Sequence, residues 1–419
     1  MTMSLACSRC EYTAPLRLQD GYPYYCPACD SILYVTYGRE QVSREAFLSC
    51  FASQTGAFSS MWRYARFLPL PAGAEPVTLH EGGTPLLRAN VLGQENGVET
   101  YIKDETRNPT GSFKDRPVSL GVSYALAVGI RRLIVASSGN AAVSTAAYAA
   151  RAAIPALVVV PRTARTSSKL RQARAYGAQV LLLDGDYNDV FRIVQDLRSQ
   201  APMVDVTTTY RSPIPTEANK TVAYELWEQM GGQAPDWVLV PVGSGPLLWG
   251  IHQGYRELAE AGLVDKVPRM VAVQAAGCPP IAEAFDRGLS EIEPCLQPKT
   301  VADGIADGLL GHEQDGFVTL KAIYESGGAA LAVDDAATLQ AVKELSRKAG
   351  LFAEPTGAIS LAGMWELASR RLLKPGDRVV LLVTGHGLKR PDAVDEGELE
   401  LVAPKLEAVL KHLQMGARP

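Results

Sequence analysis

The chain has 419 residues, with 41 Lys and Arg against 45 Asp and Glu for a net charge of −4. This length supports two or three domains with real cores, and the near balance of charge without a long basic run argues against nucleic-acid and membrane-surface partners. Apolar runs such as Ala156-Leu157-Val158-Val159-Val160 are too short to span a bilayer, and no charged and apolar leader opens the chain, so a cytoplasmic location is expected.

Residues 1–40 form the first predicted unit. Cys7-Ser8-Arg9-Cys10 and Cys26-Pro27-Ala28-Cys29 repeat a two-residue spacing that can close a tetrahedral thiolate site. A structural zinc ribbon is expected, with disulfides and unliganded thiols as the alternatives, because a small segment with few core residues needs a staple and a cytoplasmic setting disfavours disulfides. Four protein ligands leave zinc no open position, so such a site is not catalytic. Cys50, Cys278 and Cys295 show no such spacing and are expected to be buried apolar thiols. Residues 41–78, containing Trp62, read as a helical connector.

From Glu81-Gly82-Gly83-Thr84-Pro85-Leu86 onward, short apolar runs alternate with alanine-rich helical stretches. Strands are predicted at Arg132–Ala136, Ala156–Val160, Val180–Leu183, Trp237–Val240, Met270–Gln274 and Val379–Val383. This alternation indicates a parallel, doubly wound α/β architecture with ligands beyond the carboxyl ends of the strands.

Four loops carry the candidate chemistry. In Asn108-Pro109-Thr110-Gly111-Ser112-Phe113-Lys114-Asp115-Arg116, turn chemistry gives way to helical spacing from Val118, which places Lys114 in the first helical turn. Thr110 or Ser112 is expected to cap that helix, and Pro117 is tolerated near its start. A partly desolvated lysine at the positive end of a helix dipole loses its proton readily, as imine formation with an aldehyde cofactor requires. The alternative is a surface lysine beside a turn.

Ser137-Ser138-Gly139-Asn140 links a predicted strand to a helix over Ala141–Ala153, and its hydroxyls, amide and helix N–H groups suit a carboxylate or phenolic oxygen. Pro241 through Leu248 contains Gly243-Ser244-Gly245 between strand and helix, a backbone cradle for phosphate. It lacks the lysine of a nucleotide P-loop, so a non-nucleotide phosphate is expected. Thr384-Gly385-His386-Gly387 ends the last strand with an uncharged hydroxyl, and His386 reads as a structural hydrogen bonder.

These motifs, with Glu81–Leu86, stand in the order found in fold-type II pyridoxal-phosphate enzymes, and residues 78–395 most resemble the threonine synthase family. The resemblance implies two doubly wound α/β domains, a large cofactor-binding one of 79–114 with 206–395 and a small one of 115–205. A helical tail is expected over 396–419, and a homodimer is implied. Pyridoxal 5′-phosphate would be joined to Lys114, with Asn140 at its ring oxygen, Gly243, Ser244, Gly245, Pro246 and Leu247 around its phosphate, and Thr384 at the pyridine nitrogen. A hydroxyl there keeps the ring largely unprotonated, which favours elimination and replacement over transamination.

The implied substrate is O-phosphohomoserine, a small phosphorylated amino acid converted with water to threonine and phosphate. Its phosphate needs a second anion site, for which Arg162, Arg165, Ser167, Lys169 and Lys220 are candidates, with Ser167 also capping a predicted helix Ser168–Tyr176, while Ser137 and Ser138 are expected to bind substrate. Ala302–Ala306 and Glu354–Ala358 look more like the threonine or serine dehydratase branch, so a dehydratase or β-replacement enzyme is the alternative. A third is a catalytically idle homologue whose ribbon and connector form an interaction module.

Overall fold

A three-stranded antiparallel sheet opens the chain, with β1 (Met3–Cys7) between β2 (Thr13–Pro15) and β3 (Leu33–Tyr37). The structure, a computed structural model, describes all residues except 1–2, 20–21, 53–59, 165–166, 186, 208, 394–400, 408 and 410–419. This unit is too small to enclose a core of its own. Its Leu5, Leu33 and Val35 instead share one cluster with Leu120, Tyr124, Ile214 and Ala218 of the main body. In the connector, a helix (Arg44–Ala52) and a 3-10 segment (Met61–Phe67) place Phe47 and Phe67 in a stack at 4.2 Å, and both meet Tyr224 edge-on.

The main body holds two sheets. β4 (Leu86–Arg88) and β5 (Glu99–Asp104) precede a four-stranded sheet of β6 (Leu133–Ala136), β7 (Ala156–Pro161), β8 (Gln179–Leu183) and β9 (Val204–Asp205), in the order β8-β7-β6-β9. β10 (Trp237–Pro241), β11 (Arg269–Ala275), β12 (Ala329–Val333) and β13 (Arg378–Val383) then complete a six-stranded sheet in the order β12-β11-β10-β13-β5-β4. Every pairing in the two sheets is parallel except the edge pair β4 and β5. Because β10, β13 and β5 are adjacent and parallel, the loops at 242–245, 384–387 and 105–114 leave the same edge of the sheet side by side.

All six strands predicted from apolar runs form. β5 escaped notice because Lys103 and Asp104 interrupt its apolar pattern, yet both are fully buried. Lys103 ion-pairs with Glu225 at 2.6 Å, which is how a central strand tolerates it. β12, Ala329-Ala330-Leu331-Ala332-Val333, has the alanine content of a helix. The predicted tail over 396–419 lies mostly outside the described residues.

Among the described residues, no helix is long and apolar enough to cross a membrane.

Candidate active site

Lys114 stands at the N-cap of the helix Asp115–Ala127, where the loop leaving β5 turns at Gly111, with φ of +81°. The expected caps do not form. Thr110 gives its backbone N–H and hydroxyl to the Asp115 carboxylate, both at 2.7 Å, and Ser112 Oγ is buried without a hydrogen bond. Asp115 is thus held by the loop itself, and burial pushes its carboxyl up to about 6 despite Ser144 and Thr110. Burial also lowers the Lys114 ammonium to about 8, against the opposing charge of Asp307. Its Nζ lies 4.6 Å from the centre of the Phe113 ring.

Behind the lysine, Arg116 is buried between Glu105 and Glu225, with 2.7 Å contacts to each. Glu225 also takes Lys103, so two cations balance two carboxylates. Gly82 N–H reaches Asn108 Oδ1 at 3.0 Å and Gly83 N–H reaches Glu225 at 2.9 Å. The Gly82-Gly83-Thr84 and Asn108–Arg116 motifs are therefore one braced unit, and Arg116 is structural.

Asn140 begins the helix Asn140–Arg151 at the end of the β6 loop. Its Nδ2 donates to Glu354 Oε1 at 2.6 Å, while its Oδ1 is buried without a partner. Glu354 also meets Lys169 at 2.9 Å, and Lys169 meets Asp303 at 3.1 Å. Burial lowers Lys169, but the two carboxylates outweigh it and hold the ammonium above its usual range. Ser167 does not cap the helix Ser168–Ala175, because its hydroxyl donates to the Ser138 carbonyl at 3.1 Å. That bond ties the predicted substrate loop to the helix start.

At the end of β10, Gly245 takes φ of +108°, and a Cβ there would overlap Thr319 Oγ1. The Gly243 carbonyl accepts from Gln274 at 3.3 Å and the Ser244 carbonyl from Thr319 at 2.6 Å. Among the described residues, the N–H groups of Gly243, Ser244 and Gly245 meet no acceptor. With its carbonyls tied back and its donors unpaired at the head of the helix Pro246–Glu260, the loop suits an anion.

A Cβ on Gly243 would lie 3.2 Å from Asp307 Cβ, which puts a carboxylate beside this cradle. Asp307 Oδ1 accepts from Leu309 N–H at 3.1 Å and meets His312 Nε2 at 3.0 Å, and 30 % of its side chain is exposed. Burial pushes Asp307 up, but His312 outweighs it and holds the carboxyl below its usual range. Asp307 was not singled out in the sequence, and Glu354 was noted only as part of the dehydratase-like Glu354–Ala358 run, without a site role. The available signals were the repeated Asp-Gly in Ala302–Gly308 and a glutamate directly before the helix-opening Pro355.

Thr384 is buried, and its carbonyl accepts from Phe113 N–H at 3.1 Å, joining the last strand to the lysine loop. His386 Nδ1 accepts from Leu388 N–H at 3.1 Å, the structural role expected of it.

The candidates for a second anion site divide. Arg162 is 73 % exposed, 3.6 Å from Asp184, and Arg165 lies outside the described residues. Lys220 is buried between Glu217 and Glu257 with Tyr37 under its ammonium, so its expected substrate role is withdrawn in favour of a structural one.

The four ribbon sulfurs lie within 4.8 Å of one another, the grouping a tetrahedral ion requires. Cys278 is buried as expected, whereas Cys50 and Cys295 are only partly so.

A buried lysine with a lowered ammonium, a glycine loop with unpaired N–H groups and an asparagine opening a helix all follow strands of two α/β sheets, and residues 77–385 match the family of pyridoxal-phosphate dependent enzymes. The chain belongs to that family. Its curated relatives include threonine synthases of Methanocaldococcus jannaschii, 37 % identical over 92 % of this chain and 93 % of the relative, and of Methanosarcina acetivorans, 35 % identical over 93 % of each. The threonine synthase of Mycobacterium bovis is 37 % identical over 77 % of this chain and 87 % of its own. Among solved structures, a threonine deaminase from T.th. matches with a TM-score of 0.60 and 27 % identity, covering 76 % of this chain and 94 % of that one.

Proposed function

We propose that the chain is a threonine synthase, a pyridoxal-phosphate-dependent lyase converting O-phosphohomoserine and water to threonine and phosphate. The single observation that carries this reading is similarity to threonine synthases along nearly the whole chain. The residues present suit the cofactor: a lysine whose ammonium is lowered to about 8, an asparagine amide at a helix start and a glycine loop whose N–H groups meet no acceptor among the described residues.

Lys114 would hold the cofactor, Gly243 through Leu247 its phosphate, Asn140 its ring oxygen and Thr384 its ring nitrogen. Asn140 Nδ2 has a second hydrogen beyond the one given to Glu354, so it can serve that ring oxygen while staying anchored. When bound, pyridoxal phosphate draws electron density from the substrate's α-carbon. Lys114 takes the α-proton as base and later carries a β-proton, which a lysine lowered towards neutral pH can do in both directions. Ser137 and Ser138 offer hydroxyls to the substrate beside the N-terminus of the Asn140–Arg151 helix.

We read the ribbon as a structural zinc site, the enzyme as a cytoplasmic homodimer, and 79–114 with 206–395 as the large domain around the 115–205 small one. The separate six- and four-stranded sheets support that division.

A second reading, dehydration of a serine- or threonine-like amino acid, is favoured by the pairing of Lys169 with Glu354 and Asp303, which leaves less positive charge for a substrate phosphate. A panel of O-phosphohomoserine, threonine, serine, O-phosphoserine and O-acetylserine, with products identified, tests both. Threonine and phosphate from O-phosphohomoserine are expected. Ammonia and a 2-oxo acid from threonine or serine, with no turnover of O-phosphohomoserine, would overturn the first reading. Purified protein that does not develop the cofactor's imine absorbance on adding pyridoxal phosphate would instead point to an idle homologue.

A further inference from the structure

Ser8 and Arg9 are the two residues enclosed between Cys7 and Cys10. Both are held by one helix, Glu313–Glu325. Lys321 Nζ donates to the Ser8 carbonyl at 2.9 Å, and the Arg9 guanidinium lies 4.4 Å from the centre of the Phe317 ring. Phe317 and Lys321 are four residues apart and share a face of the helix.

The opposite face carries Asp315 and Thr319, also four apart and fully buried. Thr319 Oγ1 donates to the Ser244 carbonyl at 2.6 Å. Its single hydrogen being used there, the 2.8 Å contact with Tyr210 has the tyrosine donating. Thr319 is also the group that a Cβ on Gly245 would overlap, so helix and glycine loop are in direct contact. The second cysteine pair approaches from the other side. Tyr22, four residues before Cys26, bonds Ser212 at 3.1 Å, two residues after Tyr210.

We infer that metal occupancy of the four-cysteine site is coupled to cofactor binding through the Glu313–Glu325 helix. The inference rests on reading the ribbon as a metal site and Gly243–Gly245 as the phosphate cradle. A bound ion would add to what already sets the backbone of Ser8 and Arg9, namely the Ser8 N–H bond to the Ile32 carbonyl at 3.0 Å and the 3.4 Å N–H contacts of Arg9 and Cys10 with the Cys7 sulfur. That turn seats Lys321 and Phe317, and the same helix holds the Ser244 carbonyl and so the backbone of the glycine loop. Since Val318, Leu320, Ala322 and Ile323 of this helix are packed in the core, a shift at one face is transmitted to the other. Thermodynamic linkage requires the effect to be reciprocal.

The test uses the full chain, with zinc and pyridoxal phosphate as the two probes. Pyridoxal phosphate affinity is measured with zinc bound and after chelation, and zinc affinity by chelator competition with and without pyridoxal phosphate. Both are expected to rise on the order of tenfold, and by the same factor. The double variant Phe317→Ala with Lys321→Met keeps all four cysteines and the glycine loop, and should bind both ligands with the mutual effect lost. Should metal-free protein fail to stay folded, release of zinc to a chelator from folded protein with and without pyridoxal phosphate gives the same comparison. One zinc per chain with no mutual effect overturns the coupling and leaves the metal site standing. Absence of zinc binding overturns both, and zinc binding without any pyridoxal phosphate binding overturns the coupling together with the cofactor reading.

Discussion

Glu354 accepts from the Asn140 amide at 2.6 Å, and the two residues belong to the separate sheet units. Asn140 follows β6 of the four-stranded sheet, whereas Glu354 precedes the helix Pro355–Ser369, which packs against the six-stranded one. Glu354→Gln should therefore misplace Asn140 and lower kcat/KM on the order of tenfold or more, as loss of a charged hydrogen bond of ~1.5–3 kcal/mol implies. Unchanged kinetics in a folded variant would remove Glu354 from the site.

Lys114→Ala is expected to abolish turnover and the cofactor's imine absorbance together while leaving the fold intact. Retained turnover would end the assignment of this lysine.

Gly245→Ala should weaken pyridoxal phosphate binding roughly tenfold or more, since an L-residue in the left-handed region costs about 1–2 kcal/mol and its Cβ would overlap Thr319. Titration of cofactor absorbance reads the effect, and wild-type affinity would show that the loop does not carry the phosphate.

Removing Arg116 leaves Glu105 and Glu225 buried with only Lys103 to balance them. Arg116→Met is expected to cost ~3–5 kcal/mol of stability, measured by urea unfolding. A loss below about 1 kcal/mol, the range of exposed pairs, would contradict the network.

The Lys114 ammonium is lowered to about 8 in the folded protein against about 10.4 in an unfolded chain. Between these values the unfolded chain binds more protons, so the contribution of this group makes cofactor-free protein more stable as pH rises through the window, and its full cost is present below it. The stability difference between Lys114→Met and wild type should accordingly shrink from pH 7.5 to pH 10.5, by roughly the window those two values span. A difference that stays constant would show that Lys114 is not lowered.

Asn140, the glycine loop and Thr384 were legible because each follows a strand whose apolar run announces it, and Lys114 because the turn residues Asn108–Gly111 give way to helical spacing. Their partners were hidden by distance in sequence: Glu354 meets Asn140 across 214 positions and Thr319 meets Ser244 across 75. Lys169 and Lys220 both stood as candidates for the second anion site. Burial separates them, because Lys220 is committed to Glu217 and Glu257 on the ribbon side, whereas Lys169 joins the Glu354 cluster. β5 was missed for a related reason, its lysine finding a carboxylate only after residues 103 and 225 come together.

The pairing of β5 with β13 bears on how the chain reaches this state during synthesis. Asp104 lies opposite Val383, so the inner strand of the larger sheet waits for a partner near the far end of the polypeptide. The four-stranded sheet, by contrast, is contained within residues 133–205 and emerges whole. High contact order of the first kind slows assembly. The smaller sheet is therefore poised to fold first, while Lys103 and Arg116 await the glutamate at 225 that balances them.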